Sequence, residues 1–324
     1  MAELRYGKAI NQALADAMRA DPRVVLIGED IATAGGPFGV TRGLLDAFGP
    51  ARVLDAPISE GAIVGAAVGA ALCGLKPVAE IMFMDFVTLA MDQLVNQAAK
   101  ARFMFGGRGG VPLVVRTPHG GGLSAGPQHS QCLEAWLAHV PGLKVVAPAT
   151  VADAYGLVRS AIDDPDPVVV IEHKGLYAAA EPITSPLSAV PIGQARVVRE
   201  GTDVTIVTYG AMLGEALVAA DRLAADGMRC EIVDLRTLQP WDEAAVLASL
   251  ARTHRLVVAH EAVEAFGIGA EIAARMADIG FDELDAPIIR VGAPFTPVPF
   301  AKPLEDAYRP DAARIAAACR RAVE

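Results

Sequence analysis

Cysteine is scarce in this chain, and its four copies are scattered. They stand at positions 73, 132, 230 and 319, with no CxxC pair and no Cys/His group at zinc-site spacing. This pattern gives no disulfide framework and no zinc centre, and it fits a reducing compartment. The first six residues also lack the charged and apolar regions of a secretory signal. The expected location is therefore the cytoplasm.

Basic residues and long hydrophobic runs are also in short supply. Lys and Arg total 28 against 38 Asp and Glu, for a net charge of −10. Such a chain has no electrostatic footprint for nucleic acid or for an anionic membrane, so neither is an expected partner. The uncharged segment 62–75 is shorter than the roughly 20 residues of a membrane span, which predicts a buried helix instead.

The sequence is rich in short β-branched runs that alternate with longer helical patterns. This alternation predicts an α/β fold with a parallel sheet that carries helices on both faces. The pattern is interrupted at residues 181–191, which contain Pro and Ser, and then resumes on a smaller scale. Two domains are therefore expected, 1–185 and 192–324. The predicted strands are 24–27, 52–54, 77–82, 111–115, 144–147, 168–171, 204–208, 231–233, 256–259 and 288–291.

Small residues mark the segment from Glu60 to Leu72. Its glycines at 61, 65 and 69 are four residues apart, so they share one face of a predicted helix. That face would let another backbone approach closely. A second helix is predicted to begin near Asp85, and its apolar stripe consists of Val87, Ala90, Met91, Leu94, Val95 and Ala98.

Two familiar motifs are disfavoured here, one because it is incomplete and the other because its structural context is missing. After Gly267 and Gly269 the third glycine of G-x-G-x-x-G is replaced by Ile272, and helix packing explains these glycines better. Residues 122–126 match G-x-S-x-G, but a nucleophilic Ser124 needs a sharp strand-to-helix turn. The nearest predicted strand ends at Val115, so a flexible glycine loop over a ligand or partner surface is favoured.

Three side chains are the best candidates for chemistry on residue type and position. Glu60 follows the end of a predicted parallel strand, where α/β sheets place ligands. Its structural alternative is a first-turn glutamate behind an N-capping Ser59, favoured by about 0.3–1 kcal/mol. His129 ends the glycine loop, although a structural histidine is equally compatible with that position. Glu29 closes the preceding strand. The other histidines predict no metal site.

Several collinear motifs taken together are more specific than any of these residues alone. They are Gly28-Glu29-Asp30, 36–41, 52–60, Asp92-Gln93 with 96–100, 128–131, 141–146 and 234–238. These stretches resemble the β subunits of thiamine-diphosphate-dependent 2-oxo acid and acetoin dehydrogenases over nearly the whole chain. The resemblance implies a pyrimidine-binding domain at 1–185 and a transketolase-type C-terminal domain at 192–324.

The resemblance also assigns expected roles to the candidate residues. Glu60 would hydrogen-bond N1′ of the cofactor's aminopyrimidine, so that the imino nitrogen can take the proton from thiazolium C2. Phe86 would pack against the pyrimidine, although a core role is the alternative. His129 would serve proton transfer or the lipoyl-acceptor step, and Glu29 would belong to a carboxylate path near the cofactor.

Further expectations concern ions and partners. A monovalent-cation site, with K⁺ as its ion, is implied at Leu113, Ala161, Ile162, Asp164 and Asp166, where Asp166 replaces the frequent Asn. The chain lacks the Gly-Asp-Gly that holds Mg²⁺ and diphosphate. In the family that half comes from an α subunit, which implies an α2β2 heterotetramer with the helix after Glu60 as an interface element. A lipoyl acyltransferase core would contact the C-terminal domain.

The substrate is indicated by the motifs 80–86, 103–107, 172–174 and 295–300, which look closest to the acetoin branch. Pyruvate and branched-chain 2-oxo acids are the alternatives. Three other functions compete with this interpretation: a ketol-transferring thiamine enzyme, a catalytically silent docking scaffold, and a serine hydrolase acting through Ser124. The absent diphosphate motif, the presence of both Glu60 and His129, and the missing elbow context argue against them in turn.

Overall fold

The computed structural model describes residues 3–324, which form two compact units. The first unit runs from the start of the described chain to His119 and resumes at Trp136–Ile192. The second unit contains Gly120–Ala135 and Gly193–Glu324. The sequence predicts a break at 181–191 and assigns 120–135 to the first domain. Met1 and Ala2, where the predicted first domain begins, lie outside the described residues.

Six parallel strands form the main sheet of the first unit, as expected for buried β-branched runs. They are β2 (Val24–Gly28), β3 (Val53–Asp55), β4 (Lys76–Glu80), β5 (Val114–His119), β6 (Lys144–Val146) and β7 (Val168–His173). Their order is β6-β7-β5-β4-β2-β3. A separate antiparallel pair joins β1 (Glu3–Arg5) to β8 (Ala180–Pro182).

Helices cover this sheet. They are α1 (Tyr6–Ala20), α2 (Leu44–Phe48), α3 (Glu60–Leu72), α4 (Met84–Val87), α5 (Ala99–Met104) and α7 (Val151–Asp163), while α6 (Glu134–Ala138) spans the return of the chain from Ala135 to Trp136. The predicted bounds of α3 are confirmed. The helix predicted near Asp85 is confirmed as a helical run, with a 3₁₀ turn at Thr88–Ala90 and a π segment at Gln93–Ala98 between α4 and α5.

The second unit has a five-stranded sheet in the order β14-β13-β10-β11-β9. Its strands are β9 (Arg196–Arg199), β10 (Val204–Thr208), β11 (Cys230–Asp234), β13 (Leu256–Val263) and β14 (Ile289–Ala293), with β12 (Thr237–Gln239) outside it. Strand β9 pairs antiparallel with β11, and the other pairs are parallel. The helices are α8 (Met212–Ala225), α9 (Glu243–Thr253), α10 (Ile268–Ile279), α11 (Lys302–Tyr308) and α12 (Ala312–Val323).

The glycines of the failed dinucleotide motif pack against a buried histidine of the second unit. A Cβ at Gly269 would lie 2.7 Å from Nε2 of His260, and a Cβ at Gly267 would lie 2.7 Å from its Cε1. Burial lowers the pKa of His260 to about 4. The helix-packing interpretation of these glycines is confirmed. Between residues 3 and 324, no helix combines the length and the apolar character needed to cross a bilayer.

Candidate active site

Hydrogen bonds join the carboxyl ends of β2 and β3, where a parallel sheet binds ligands. Gly28 is paired in register with Asp55, and the N–H of Ala56 donates to the carbonyl of Gly28 at 2.9 Å. The Asp55 carboxylate accepts the N–H of Ala32 at 2.7 Å. These contacts fix the two loops that carry Glu29 and Glu60.

Glu60 is the first residue of α3 and is only 6% exposed. Ser59 occupies the N-cap position, but its side chain makes no capping hydrogen bond. The backbone N–H of Ser59 instead donates to Oε1 of Glu29 at 3.3 Å. The structural alternative is therefore confirmed only in part: Ser59 is the N-cap residue and Glu60 lies in the first turn of α3, but the Ser59 hydroxyl makes no capping hydrogen bond.

Glu29 is a second buried carboxylate at the same sheet edge. Burial raises its pKa above the ordinary value, and the negative charges of Glu60 and Asp30 raise it further, while the N–H of Ser59 acts in the opposite direction. A buried carboxylate with a raised pKa is a candidate for a functional site. Glu29 and Glu60 thus form a buried carboxylate pair at this sheet edge.

Phe86 belongs to a chain of aromatic rings in the first unit. Its ring meets Phe83 edge-on at 5.8 Å, Phe83 meets Phe38 edge-on at 6.0 Å, and Phe38 stacks on Tyr177 at 4.8 Å. The Lys174 ammonium lies 5.3 Å from the Phe83 ring centre. Phe86 is half-buried at the end of this chain, so a ring face for a flat ligand and a core role both fit its position.

A buried ion network behind these rings was not predicted. Arg116 on β5 donates to Glu80 on β4 at 2.7 Å and, through two nitrogens, to Glu172 on β7 at 2.6 and 2.8 Å. Tyr177 donates its hydroxyl to Glu172 at 2.6 Å. Burial acts to lower the pKa of Arg116, but the two carboxylates outweigh it and raise that pKa. Three adjacent strands are thereby joined at the edge that carries Glu29 and Glu60.

His129 lies in the second unit, in a segment that begins with glycines. The sequence-predicted Ser124 has a φ of +55°, and its N–H donates to Glu305 at 2.9 Å. Four residues separate it from the end of β5, and the next helix along the chain begins at Glu134. The absence of a hydrolase elbow is confirmed. His129 is half-buried, and its N–H donates to the carbonyl of Gly126 at 3.4 Å.

The five predicted cation-site residues lie around the end of α7. The Leu113 carbonyl accepts the N–H of Val168 at 2.9 Å, and the Ala161 carbonyl accepts that of Asp164 at 3.4 Å. Lys144 donates its ammonium to both oxygens of Asp164, at 2.7 and 2.6 Å. Asp166 pairs with Arg102. The two carboxylates therefore already have cationic partners from the chain itself, and Ile162 stands within the last turn of the helix.

The glycine face of α3 packs on the chain's own helical run. A Cβ at Gly61 would lie 3.1 Å from the carbonyl of Leu89, and one at Gly65 would lie 3.4 Å from Cγ of Gln93. A Cβ at Gly69 would meet nothing within 4 Å, and Gly69 is exposed. The close backbone approach predicted for these glycines is confirmed at Gly61, and Gly69 extends the same face beyond that contact.

Comparisons with known proteins agree with this geometry. Residues 2–179 match the family model "Transketolase, pyrimidine binding domain", and residues 193–315 match "Transketolase, C-terminal domain". A solved split gene transketolase, described as an inactive beta4 tetramer, superposes with a TM-score of 0.82 at 24% identity, covering 99% of this chain and 98% of that one. At that identity the likeness concerns the fold, and the expected two-domain α/β class is confirmed.

Curated relatives narrow the family. The chain is 48% identical to the acetoin:2,6-dichlorophenolindophenol oxidoreductase subunit beta of Cupriavidus necator, over 98% of this chain and 96% of that protein. It is 47% identical to the Bacillus subtilis protein of the same name, over 93% and 92%. It is 45% identical to pyruvate dehydrogenase E1 component subunit beta-2, mitochondrial, of Oryza sativa subsp. japonica, over 99% and 86%. The chain therefore belongs to the family of thiamine-diphosphate-dependent dehydrogenase β subunits that serve acetoin oxidoreductases and pyruvate dehydrogenase E1 components.

Proposed function

We propose that this chain is the β subunit of an α2β2 dehydrogenase that cleaves acetoin and transfers the acyl group to a lipoyl arm. The observation that carries the proposal is the buried carboxylate pair of Glu29 and Glu60 at the carboxyl ends of β2 and β3. The high identity to two acetoin oxidoreductase β subunits favours acetoin over the alternatives, pyruvate and branched-chain 2-oxo acids. Scattered free cysteines suit action in the cytoplasm.

The residues present fit one half of a thiamine diphosphate site. A carboxyl group that is nearly excluded from water can hold a hydrogen bond to a ring nitrogen, and Glu60 has that burial. Phe86 follows β4 in the chain and is half-buried, so its ring offers an aromatic face for the pyrimidine. When bound, thiamine diphosphate would supply the nucleophilic carbon that cleaves the bond next to a carbonyl.

Each candidate residue of this chain has a separate task. Glu60 would hydrogen-bond N1′ of the pyrimidine and so set its tautomer. Glu29 accepts the N–H of Ser59 and keeps the loop before α3 in place. His129 would donate or accept a proton at the step that passes the acyl group onward.

The other half of the site would come from the α subunit. This sequence has no Gly-Asp-Gly to hold Mg²⁺ and the diphosphate, so we assign the magnesium ion to the α chain. We propose the exposed Gly69 end of α3 as part of the contact with α, because small side chains there leave room for a partner's backbone. The second unit would contact the lipoyl acyltransferase core.

We also propose a structural potassium ion at Leu113, Ala161, Ile162, Asp164 and Asp166. The carbonyls near the end of α7 carry the negative end of the helix dipole, and oxygen ligands suit a hard cation. The Lys144 ammonium already pairs with Asp164, so a potassium ion would compete with it for that carboxylate.

The test is dye-coupled oxidation by the β chain assembled with its α subunit, thiamine diphosphate and Mg²⁺. Acetoin, pyruvate and a branched-chain 2-oxo acid are compared by kcat/KM. We expect thiamine-dependent turnover with acetoin preferred, and a fall of at least about 10³-fold in Glu60→Ala, far more than an N-terminal charge effect allows. Glu271→Ala, exposed on α10, is the control.

Each contrary result has a distinct meaning. A higher kcat/KM for pyruvate or a branched 2-oxo acid would replace acetoin as substrate and leave the mechanism. A well-formed complex without turnover on any of the three would contradict the enzymatic proposal and favour a silent scaffold.

A further inference from the structure

Two buried carboxylates of the second unit hold the glycine segment that precedes His129. The N–H groups of Gly122 and Ser124 donate to the two oxygens of Glu305, at 2.8 and 2.9 Å. The N–H of Gly121 donates to Glu261 at 2.6 Å. Glu305 lies on α11 and Glu261 on β13, more than one hundred residues along the chain from the segment they bind. Both belong to the same unit as that segment.

These hydrogen bonds satisfy a charge that is fully removed from water. Glu305 is 0% exposed and Glu261 is 5% exposed. A buried carboxylate is costly unless hydrogen-bond donors replace its water. The backbone of the segment supplies those donors to Glu305, whereas Arg309 reaches Glu261 at 3.1 Å. The backbone of this segment and the Glu305 carboxylate therefore stabilise each other.

The segment's conformation leaves little freedom around these contacts. Gly122 and Gly126 have φ values of +98° and +75°, and Ser124 has +55°. A Cβ at Gly122 would come within 2.8 Å of Nη1 of Arg309, and a Cβ at Gly126 within 2.1 Å of the Phe300 ring. The backbone is thus fixed at three successive points between residues 121 and 126.

His129 is connected to the last of these points. Its N–H donates to the carbonyl of Gly126, so the backbone that Glu305 and Phe300 hold also sets where His129 begins. We infer that Glu305 is a positioning residue for His129, which acts by holding the backbone of residues 122–126 through their N–H groups. The inference rests on the proposed function, because a positioned His129 has a purpose only in an enzyme that uses it.

The test uses Glu305→Gln in the assembled enzyme with acetoin, dichlorophenolindophenol, thiamine diphosphate and Mg²⁺. The glutamine amide turns an NH₂ toward one of the two N–H donors, so one hydrogen bond is lost and the segment shifts. We expect kcat to fall about 10–100-fold with KM little changed, since a displacement of about 1 Å can cost 10²-fold in rate. Asp306→Asn makes the same acid-to-amide change on the exposed face of α11 and should leave kcat unchanged.

A double variant separates positioning from general damage. If Glu305 acts through His129, then Glu305→Gln combined with His129→Ala will be no slower than His129→Ala alone, within about threefold. Losses that multiply would overturn the inference, and so would a Glu305→Gln enzyme with full kcat. Glu305→Asp keeps both acceptor oxygens on a shorter arm, and we expect it to recover part of the lost rate.

A measurement without turnover tests the Glu305 contact separately from the proposed function. Hydrogen exchange of the amides in residues 120–129 should become at least about tenfold faster in Glu305→Gln and stay unchanged in Asp306→Asn. Unchanged exchange in Glu305→Gln would overturn the inference even in an active enzyme. Faster exchange in a protein without thiamine-dependent turnover would contradict the proposed function and leave the Glu305 contact in place.

Discussion

The N–H of Ser59 donates to the carboxylate of Glu29 across 3.3 Å, so the N-cap residue of α3 is held by the residue that follows β2. Glu60 comes next in the chain and is buried beside this contact. The two loops are adjacent because β2 and β3 are paired in register, Gly28 opposite Asp55. Glu29 therefore has two effects: its hydrogen bond sets the geometry of the loop before α3, and its carboxylate places a charge at this sheet edge.

The first prediction concerns the charge of Glu29. Its folded-state pKa is raised by burial, so the stability that this group contributes is present at acid pH and is lost as the pH rises through the folded value. Glu29→Gln removes that loss, since an amide does not ionise. We expect the thermal midpoint of the variant, relative to wild type, to rise as the pH increases above the ordinary value of 4.5.

The comparison uses Glu271→Gln, which makes the same change on the exposed face of α10. A difference between Glu29→Gln and wild type that stays flat or falls with increasing pH would contradict this assignment. The same variant should lower kcat in the assembled enzyme, because stability gained at a catalytic position commonly accompanies lost activity.

The second prediction concerns the buried network around Arg116. Arg116→Met removes the guanidinium that Glu80 and Glu172 share and leaves two buried carboxylates without that positive partner. We expect the free energy of unfolding to fall by about 3–5 kcal/mol in urea denaturation. Arg116→Lys should restore only part of it, because lysine cannot reproduce the paired contact with Glu172.

The control for that series is Arg19→Met, which breaks an exposed pair with Asp16. Its effect should stay within about 0.5 kcal/mol. If Arg116→Met were as mild as the control, the network would be dispensable for stability.

The third prediction separates the two ends of the glycine face on α3. Gly61→Ala places a methyl group 3.1 Å from the Leu89 carbonyl and should destabilise the isolated chain by about 1 kcal/mol or more. A Cβ added by Gly69→Ala would have no atom within 4 Å. Because alanine is a better helix former than glycine, this substitution should stabilise the isolated chain by about 0.5–1 kcal/mol. Thermal denaturation of the three proteins checks the order.

Position 69 also tests the proposed contact with the α subunit. Gly69→Leu should fold as an isolated chain but form less α2β2 complex in native mass spectrometry. Full assembly of Gly69→Leu would remove this end of α3 from the interface.

The fourth prediction concerns potassium. Potassium chloride should raise the thermal midpoint relative to choline chloride at equal ionic strength. Lys144→Met should enlarge that difference, because its ammonium no longer occupies Asp164. Asp164→Asn should abolish the difference. Equal midpoints in both salts for wild type and Lys144→Met would contradict a potassium site.

Local pattern predicted much of this fold. The bounds of α3 follow from an uncharged run that begins after Glu60, and β10 follows from a similarly clear apolar run. Strand β5 is shifted from the predicted 111–115 to Val114–His119, because its buried end carries the polar residues Arg116, Thr117 and His119. The antiparallel β9 is absent from the prediction, since its half-exposed Arg196–Arg199 lacks the apolar run of a central strand.

Contacts between distant residues explain what the sequence missed at the site. Glu80, Arg116 and Glu172 are separated by 36 and 56 residues and meet only because β4, β5 and β7 are neighbours. Glu305 stands 183 residues from Gly122. Residue type identified Glu29, Glu60 and His129 as candidates, whereas the side chains that hold their loops become visible only once the strands are paired.

The passage of residues 120–135 into the second unit has a consequence for recombination. A chimera made by joining the first 192 residues of one relative to the remainder of another would combine a glycine segment from one parent with Glu261, Glu305 and Arg309 from the other. Exchange of 120–135 together with 193–324 keeps the hydrogen-bonded pairs from a single parent. The residues that should be exchanged together are thus discontinuous in sequence.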